Sequence, residues 1–216
     1  MQNSKIELYI QNLLPPVDQQ IRDMELYASE HQVPIMEKTA ISVMLSILKL
    51  HQPHHILEIG TAIGYSAIRM VKSLPDAKVV TVERDQERYE EAIRNIQNAK
   101  LENKITTLYG DAFDLIEDIK KHGPYDVLFI DAAKGQYQRF FESFEPLLSV
   151  KAVIITDNVL FKGLVVEENI ESKRIRSLVR KIKQYNEWLM NHPHYETTII
   201  PVGDGVAVSI KRGERE

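Results

Sequence analysis

Three side chains that can offer hard oxygen ligands, Asp131, Asp157 and Asn158, each close an apolar run. The runs are Asp126-Val127-Leu128-Phe129-Ile130-Asp131 and Ala152-Val153-Ile154-Ile155-Thr156-Asp157-Asn158. Apolar centres with polar groups only at the carboxyl ends are the pattern of buried parallel strands whose ends form a site. Two carboxylates and an amide oxygen suit Mg²⁺ or Mn²⁺, with water and substrate oxygens completing a roughly octahedral shell. Asp-Asn is equally a common turn and either acid can cap a helix, so the spacing leaves both readings open.

A second constellation points to a nucleoside-containing cofactor. In His55-Ile56-Leu57-Glu58-Ile59-Gly60-Thr61-Ala62-Ile63-Gly64-Tyr65-Ser66 an apolar strand breaks into a glycine-bounded turn and resumes as helix. Glycine lets the backbone bend or approach a ligand, and the free N–H groups of the following helix favour polar or anionic atoms. Val79-Val80-Thr81-Val82-Glu83 supplies a second strand ending in an acid about 20 residues on, where a carboxylate can bind ribose hydroxyls. Asp111, after the third strand Ile105–Tyr109, either caps a helix or lies beside an adenine. A dinucleotide fingerprint needs Gly-x-Gly-x-x-Gly, whereas this chain has Gly60-x-x-x-Gly64, so a pyrophosphate cradle is poorly supported. The Gly-Lys-Ser/Thr ending of a P-loop is absent.

The elements that must position these residues are legible as alternating patterns. Ser4 and Glu7 match a capping box before a helix that Pro15-Pro16 stops, Val17 to Ala28 forms a second helix, and Thr39 to Leu48 a buried third. These make an N-terminal helical cap, residues 1–52, ahead of an α/β core, residues 53–216, in a single domain. Helices are expected over 67–73, 87–99, 114–121 and 137–148, between strands at 55–59, 79–83, 105–109, 126–131 and 152–156. Tyr195-Glu196-Thr197-Thr198-Ile199-Ile200-Pro201 and Val206-Ala207-Val208-Ser209-Ile210, joined through Val202-Gly203-Asp204-Gly205, read as a hairpin that adds an antiparallel strand to the sheet.

Composition bounds the function. A chain of 216 residues, 44% hydrophobic and 27% charged, can bury the core of one domain. It has no cysteine, which removes disulfides, thiolate chemistry and cysteine-ligated zinc. The polar start lacks the features of a signal peptide, and no stretch has the roughly 20 apolar residues of a spanning helix, so a soluble cytoplasmic protein with no membrane partner is expected. A net charge of -4 gives no global nucleic-acid footprint. The dense basic segment, Ser172 to Lys183, carries Ile175, Leu178, Val179 and Ile182 at helical spacing, so its cations occupy the other side, as a solvated face or as a nucleic-acid contact.

These motifs resemble the cation-dependent class I S-adenosylmethionine O-methyltransferases, the family of catechol and caffeoyl-coenzyme A O-methyltransferases. The likeness rests on Glu58-Ile59-Gly60-Thr61-Ala62-Ile63-Gly64-Tyr65-Ser66, Val82-Glu83-Arg84-Asp85, Phe129-Ile130-Asp131-Ala132-Ala133-Lys134, Ile155-Thr156-Asp157-Asn158 and Pro201-Val202-Gly203-Asp204-Gly205, and spans about Pro34 to Lys211. It implies an α/β Rossmann-like fold, a seven-stranded mostly parallel sheet with an antiparallel C-terminal strand. It also implies S-adenosylmethionine contacts at Glu58, Gly60, Tyr65, Ser66, Glu83, Asp111, Ala112 and Asp131, with Met36 and Glu37 near the methionine end. By the same resemblance Asp131, Asp157 and Asn158 are metal ligands, and Lys134 accepts the acceptor's proton beside Asp131. Some bacterial members of the family methylate tRNA 5-hydroxyuridine to 5-methoxyuridine at the wobble position. That resemblance, with the phosphate contacts that the basic segment and the lysine after Phe161 offer, makes the expected acceptor a tRNA anticodon stem-loop held through Lys162, Lys173, Arg174, Arg176, Arg180, Lys181 and Lys183; the N-terminal helices, the exposed sheet edge and the related methyltransferases make a homodimer the expected assembly. The alternatives are a small-molecule catechol or caffeoyl-type methyltransferase and a non-enzymatic S-adenosylmethionine- or RNA-binding module.

Overall fold

The structure is a computed structural model that describes residues 2–212. Three helices precede the first strand: α1 (Gln2–Leu13), α2 (Gln19–Glu30) and α3 (Lys38–His51). Helix α1 begins at Gln2, so Ser4 lies inside it rather than capping it. The cap of α2 is Asp18, whose carboxylate accepts the Ile21 N–H at 3.0 Å, satisfying one of the helix's free donors. Ile21, Met24 and Ala28 form its buried side, as their spacing predicts.

The core alternates β1 (His55–Ile59), α4 (Tyr65–Ser73), β2 (Lys78–Glu83), α5 (Gln86–Asn98), β3 (Ile105–Tyr109), α6 (Ile116–Lys120), β4 (Tyr125–Ile130), α7 (Tyr137–Phe144) and β5 (Leu148–Thr156). Helix α8 (Lys173–Met190) and the hairpin β6 (Tyr195–Ile200) and β7 (Val206–Lys211) complete it. The seven strands lie in the order β3-β2-β1-β4-β5-β7-β6, with β7 antiparallel to both neighbours. This is the expected Rossmann-like arrangement, with the strand order reversing between β1 and β4, where an open parallel sheet leaves a crevice at its carboxyl ends. Two expected boundaries move. Pro146 turns the end of the 137–148 helix into a 3-10 turn, which frees Leu148 to begin β5. The helix expected over 114–121 shrinks to Ile116–Lys120 because Asp111 organises a tight turn, its carboxylate accepting the Phe113 N–H at 3.0 Å.

One face of the sheet packs on α2 to α5 through residues such as Met24, Ile41, Met44, Ile68, Val71 and Ile96. The other face packs on α6, α7 and α8 through Ile119, Phe141, Phe144, Tyr185 and Leu189. Covering both faces is what permits the near-continuous apolar strands. The Asp126 carboxylate fastens the amino-terminal edge by accepting the His54 and His55 N–H groups at 2.9 and 3.1 Å and the Ser149 hydroxyl at 2.9 Å. Among the described residues no helix is long and apolar enough to cross a membrane.

Phe141 is fully buried, edge-on to Trp188 at 4.9 Å and to Tyr195 at 5.0 Å, and so joins α7 to α8 and β6. Truncation leaves a cavity the aromatic neighbours cannot fill, so Phe141→Ala is expected to cost about 3–5 kcal/mol. Urea denaturation measures it, and an unchanged midpoint would contradict this packing.

Candidate active site

The carboxyl ends of five adjacent strands carry the polar residues in spatial order. Asp111 and Ala112 follow β3, Glu83 ends β2, Gly60 follows β1, Asp131 follows β4, and Asp157 and Asn158 follow β5. The backbone continues the ladder past the strands: Gly110 N–H to Glu83 O at 2.9 Å, Gly60 N–H to Val82 O at 3.0 Å, Asp131 N–H to Ile59 O at 3.0 Å and Asp157 N–H to Ile130 O at 3.1 Å. Gly60 has φ +106°, and a Cβ there would lie 2.0 Å from the Asp131 carbonyl oxygen. Only glycine lets the turn cross the neighbouring strand end so closely.

Above these ends is a cavity of about 290 Å³ lined by Gly60, Glu83, Asp111, Ala112, Asp131 and Lys134, among others. Glu83 is buried and held by three backbone donors, Ala62 N–H at 2.8 Å and Arg84 and Asp85 N–H at 2.9 Å, so its carboxylate is fixed in place facing the cavity. Glu58, on β1 just before the cavity-lining Ile59 and Gly60, is fully buried and accepts the Ser66 hydroxyl and, at 2.6 Å, the Thr81 hydroxyl. Burial pushes its carboxyl up to about 8, against the two hydroxyl donors that pull it down.

Other expected cofactor residues stand further off. Tyr65 turns its phenol away, donating to Glu25 at 2.9 Å. Met36 is packed in the core, and Glu37 lies against the Gly203 turn, where burial and the nearby charge of Asp204 raise its carboxyl. The cavity wall also includes Pro34, Arg84, Arg88, Gln136 and Phe140, none of which is among the expected cofactor contacts. Arg84 directly follows the strand-end acid, and Arg88 comes one helical turn later, so their spacing carried a usable signal.

The metal-type donors converge at β4 and β5. Asp157 is buried and Asp131 opens into the cavity. Burial holds both carboxyls above the usual range, and the Asp131 charge adds to the rise at Asp157. The Asn158 side chain donates to Asp157 at 3.0 Å, which turns its amide oxygen outward to accept from the Lys134 ammonium. Burial lowers the Lys134 pKa, an effect that Asp131, Asp157 and Asp204 oppose. Among the described residues no three His, Cys, Asp or Glu side chains form a metal-holding group, so the amide oxygen has to complete any set. Two acids and an outward amide oxygen fit a hard divalent cation, whose charge would favour their ionised forms.

The hairpin turn pins this corner. Leu160 and Phe161 N–H groups bond to Asp204 O at 2.8 and 3.2 Å, and Val159 N–H to Gly205 O at 3.0 Å. Gly205 has φ +87°, and a Cβ there would lie 2.3 Å from Leu160 Cγ. The clamped loop holds Asn158, Phe161 and Lys162 at φ 62°, 44° and 54°. Such conformations cost non-glycine residues about 1–3 kcal/mol and tend to persist at functional sites.

A strand-order reversal with this row of strand-end acids, closed by an antiparallel seventh strand, defines a class I methyltransferase fold. Residues 14–212 match the family described as O-methyltransferase, and the chain belongs to that family. It is 32% identical over 191 residues to the flavonoid 3',5'-methyltransferase of Vitis vinifera, covering 84% of this chain and 79% of that one. It is 34% identical over 171 residues to caffeoyl-CoA O-methyltransferase 2 of Populus trichocarpa, covering 75% and 68%. The crystal structure of the O-methyltransferase TomG from Streptomyces achromogenes, in complex with SAM, superposes with a TM-score of 0.81 at 26% identity over 97% and 96% of the two chains.

These relatives overturn the expectation of a tRNA acceptor, because they are named for flavonoid and caffeoyl-CoA substrates. The basic residues are engaged within the fold or solvated on its surface. Arg176 donates to the Ile170 carbonyl at 3.0 and 2.8 Å, and Lys181 lies beside Gly135, with its Nζ 3.6 Å from where a Cβ would be. Lys173, Arg174, Arg180 and Lys183 form the exposed side of the amphipathic α8, and Lys162 is exposed on the pinned loop. Neither the anticodon stem-loop nor 5-hydroxyuridine is retained as substrate.

A raised carboxyl binds its proton more tightly in the folded chain, so Glu58 contributes stability below its unfolded value near 4.5 that is lost as pH rises through about 8. Glu58→Gln keeps the shape without the titration. Its unfolding free energy in urea is expected to fall less than the parent's from pH 5 to 9, by more than about 1 kcal/mol. Parallel profiles would show that burial does not hold the proton.

Proposed function

We propose that this chain transfers the methyl group of S-adenosylmethionine to a phenolic hydroxyl that has a second oxygen beside it, in a small catechol or caffeoyl-coenzyme A type acceptor. The observation that carries the reading is the meeting of Asp131, Asp157, Asn158 and Lys134 at the edge of the nucleoside-sized cavity. In this reading Glu83 accepts from the ribose hydroxyls, Asp111 and Ala112 border the adenine, and Glu58 with Ser66 supports the floor under the amino-acid part. Gly60, Met36, Glu37 and Tyr65 shape the surrounding backbone and cap.

Asp131, Asp157 and Asn158 would hold Mg²⁺ or Mn²⁺, which when bound supplies Lewis acidity toward the phenolic oxygen. Lys134 accepts the hydroxyl proton as its neutral amine, a form that burial favours. Asn158 orients the Lys134 amine through its amide oxygen, and the Phe161 ring, 5.8 Å from Nζ, borders the same amine. Placement of the two reactants at adjacent strand ends supplies the rest of the rate advantage by removing their freedom to separate.

Turnover with labelled S-adenosylmethionine tests the acceptor class. Catechol and caffeoyl-coenzyme A should be methylated and resorcinol, whose hydroxyls are not adjacent, should not. Equal methylation of resorcinol, or no transfer to any phenol with Mg²⁺ present, would overturn the reading. Chelation should abolish turnover, and Asp157→Ala should reduce it by more than about tenfold while leaving cofactor affinity intact. Lys134→Ala should lose about a hundredfold in single-turnover rate. Because the neutral amine is the active form, the parent rate should rise with pH through a value below that of an ordinary lysine, and the variant should lose that limb.

A further inference from the structure

Helix α2 is linked to the glycine-bounded loop by two separate routes, one through Tyr65 at the start of α4 and one through Asn95 on α5. Along one, the buried Tyr65, first residue of α4, donates to Glu25 at 2.9 Å and accepts from Arg69 at 2.8 Å. Glu25 also holds Lys38, the first residue of α3, at 2.6 Å, and the Arg69 guanidinium lies 5.5 Å from the Tyr65 ring centroid. Along the other, Gln20 donates to the Asn95 carbonyl at 2.8 Å, and the buried Asn95 side chain donates to the Ile63 carbonyl at 3.0 Å. Ile63 and Tyr65 flank Gly64, so the two contacts bracket the point where the loop enters α4.

The same segments frame the cavity. Gly60 and Ala62 come from the loop, and Pro34 comes from the linker between α2 and α3, whose far end Lys38 fixes. We propose that Glu25, Lys38 and Arg69, acting through Tyr65, and Gln20, acting through Asn95, are positioning residues for the cofactor, setting the Pro34 wall against the Gly60–Gly64 loop. The helical cap is in this account part of the cofactor site, although no side chain of α2 lines the cavity. The proposal rests on the S-adenosylmethionine reading above.

Loss of one clasp leaves the loop anchored by the other, so the chain should fold and the cavity should loosen. Tyr65→Phe removes one hydroxyl and keeps the ring; Gln20→Ala shortens a partly exposed side chain remote from the cavity. Each should weaken S-adenosylhomocysteine binding by calorimetry, and raise the KM for S-adenosylmethionine, by about three- to tenfold, the worth of roughly one hydrogen bond. The kcat at saturating cofactor should stay within about twofold, since these residues touch no reacting atom. Glu25→Gln, which keeps an acceptor for Tyr65, should restore most of the affinity lost in Glu25→Ala.

Parent-like affinity in both Tyr65→Phe and Gln20→Ala would overturn the proposal. So would a fall in kcat with KM unchanged, because a merely structural role lowers the folded fraction and leaves the affinity of folded molecules alone. If the parent protein binds no S-adenosylhomocysteine, the cofactor reading itself fails and takes this proposal with it, a result distinct from a parent that binds and variants that match it.

Discussion

The Asp131 and Asp157 carboxylates stand at the ends of neighbouring strands, facing one lysine, in a place where burial makes their charges costly. Their positions are forced by the backbone, since β4 and β5 are paired from Val127 with Val153 to Ile130 with Thr156, and each acid is the next residue. The strands cannot slide apart without losing the ladder, and a one-residue slip would turn every apolar side chain to the other face. The fold therefore crowds two acids that burial holds toward their protonated form, with one lysine beside them to offset charge. Loaded with a hard cation, such a corner is stabilised rather than strained.

Much of the remaining structure maintains that corner. The Asp204 and Gly205 carbonyls of the hairpin accept three backbone N–H groups of the loop after Asn158. It also brings the Asp204 charge close enough to bear on Asp131, Asp157 and Lys134. On the other side of the crevice, Glu83 is fixed by three N–H donors, so a cofactor would meet a side chain with little freedom to move, and two hydroxyls fix Glu58 in the core behind it. Rigid placement of this kind converts binding into rate.

The sheet was legible because buried parallel strands have a strong apolar signature and their terminal acids stand out against it. The glycine loop was legible because Gly60 has a demand no other residue meets. Asp204 stood out as a turn residue within a family-like motif but with no role of its own, since nothing local to Val202-Gly203-Asp204-Gly205 reveals that the turn folds back over the loop after β5. Pro34 was invisible for the same reason, being far in sequence from the strand ends it walls. The cations of α8 misled the acceptor assignment because a solvated helix face and a phosphate-binding face have the same spacing; Arg176 commits its donors to the Ile170 carbonyl, which periodicity does not show. Tyr65 sits within the cofactor motif, yet its hydroxyl belongs to the cap.

Carbon-detected NMR titration of the Asp131 and Asp157 carboxyl groups, with and without Mg²⁺, tests the central claim most directly. Without metal, at least one of the two should remain protonated well above the ordinary carboxylate range, and saturating Mg²⁺ should ionise both with release of a proton. Ordinary titration of both carboxyls, unaffected by Mg²⁺, would contradict the account.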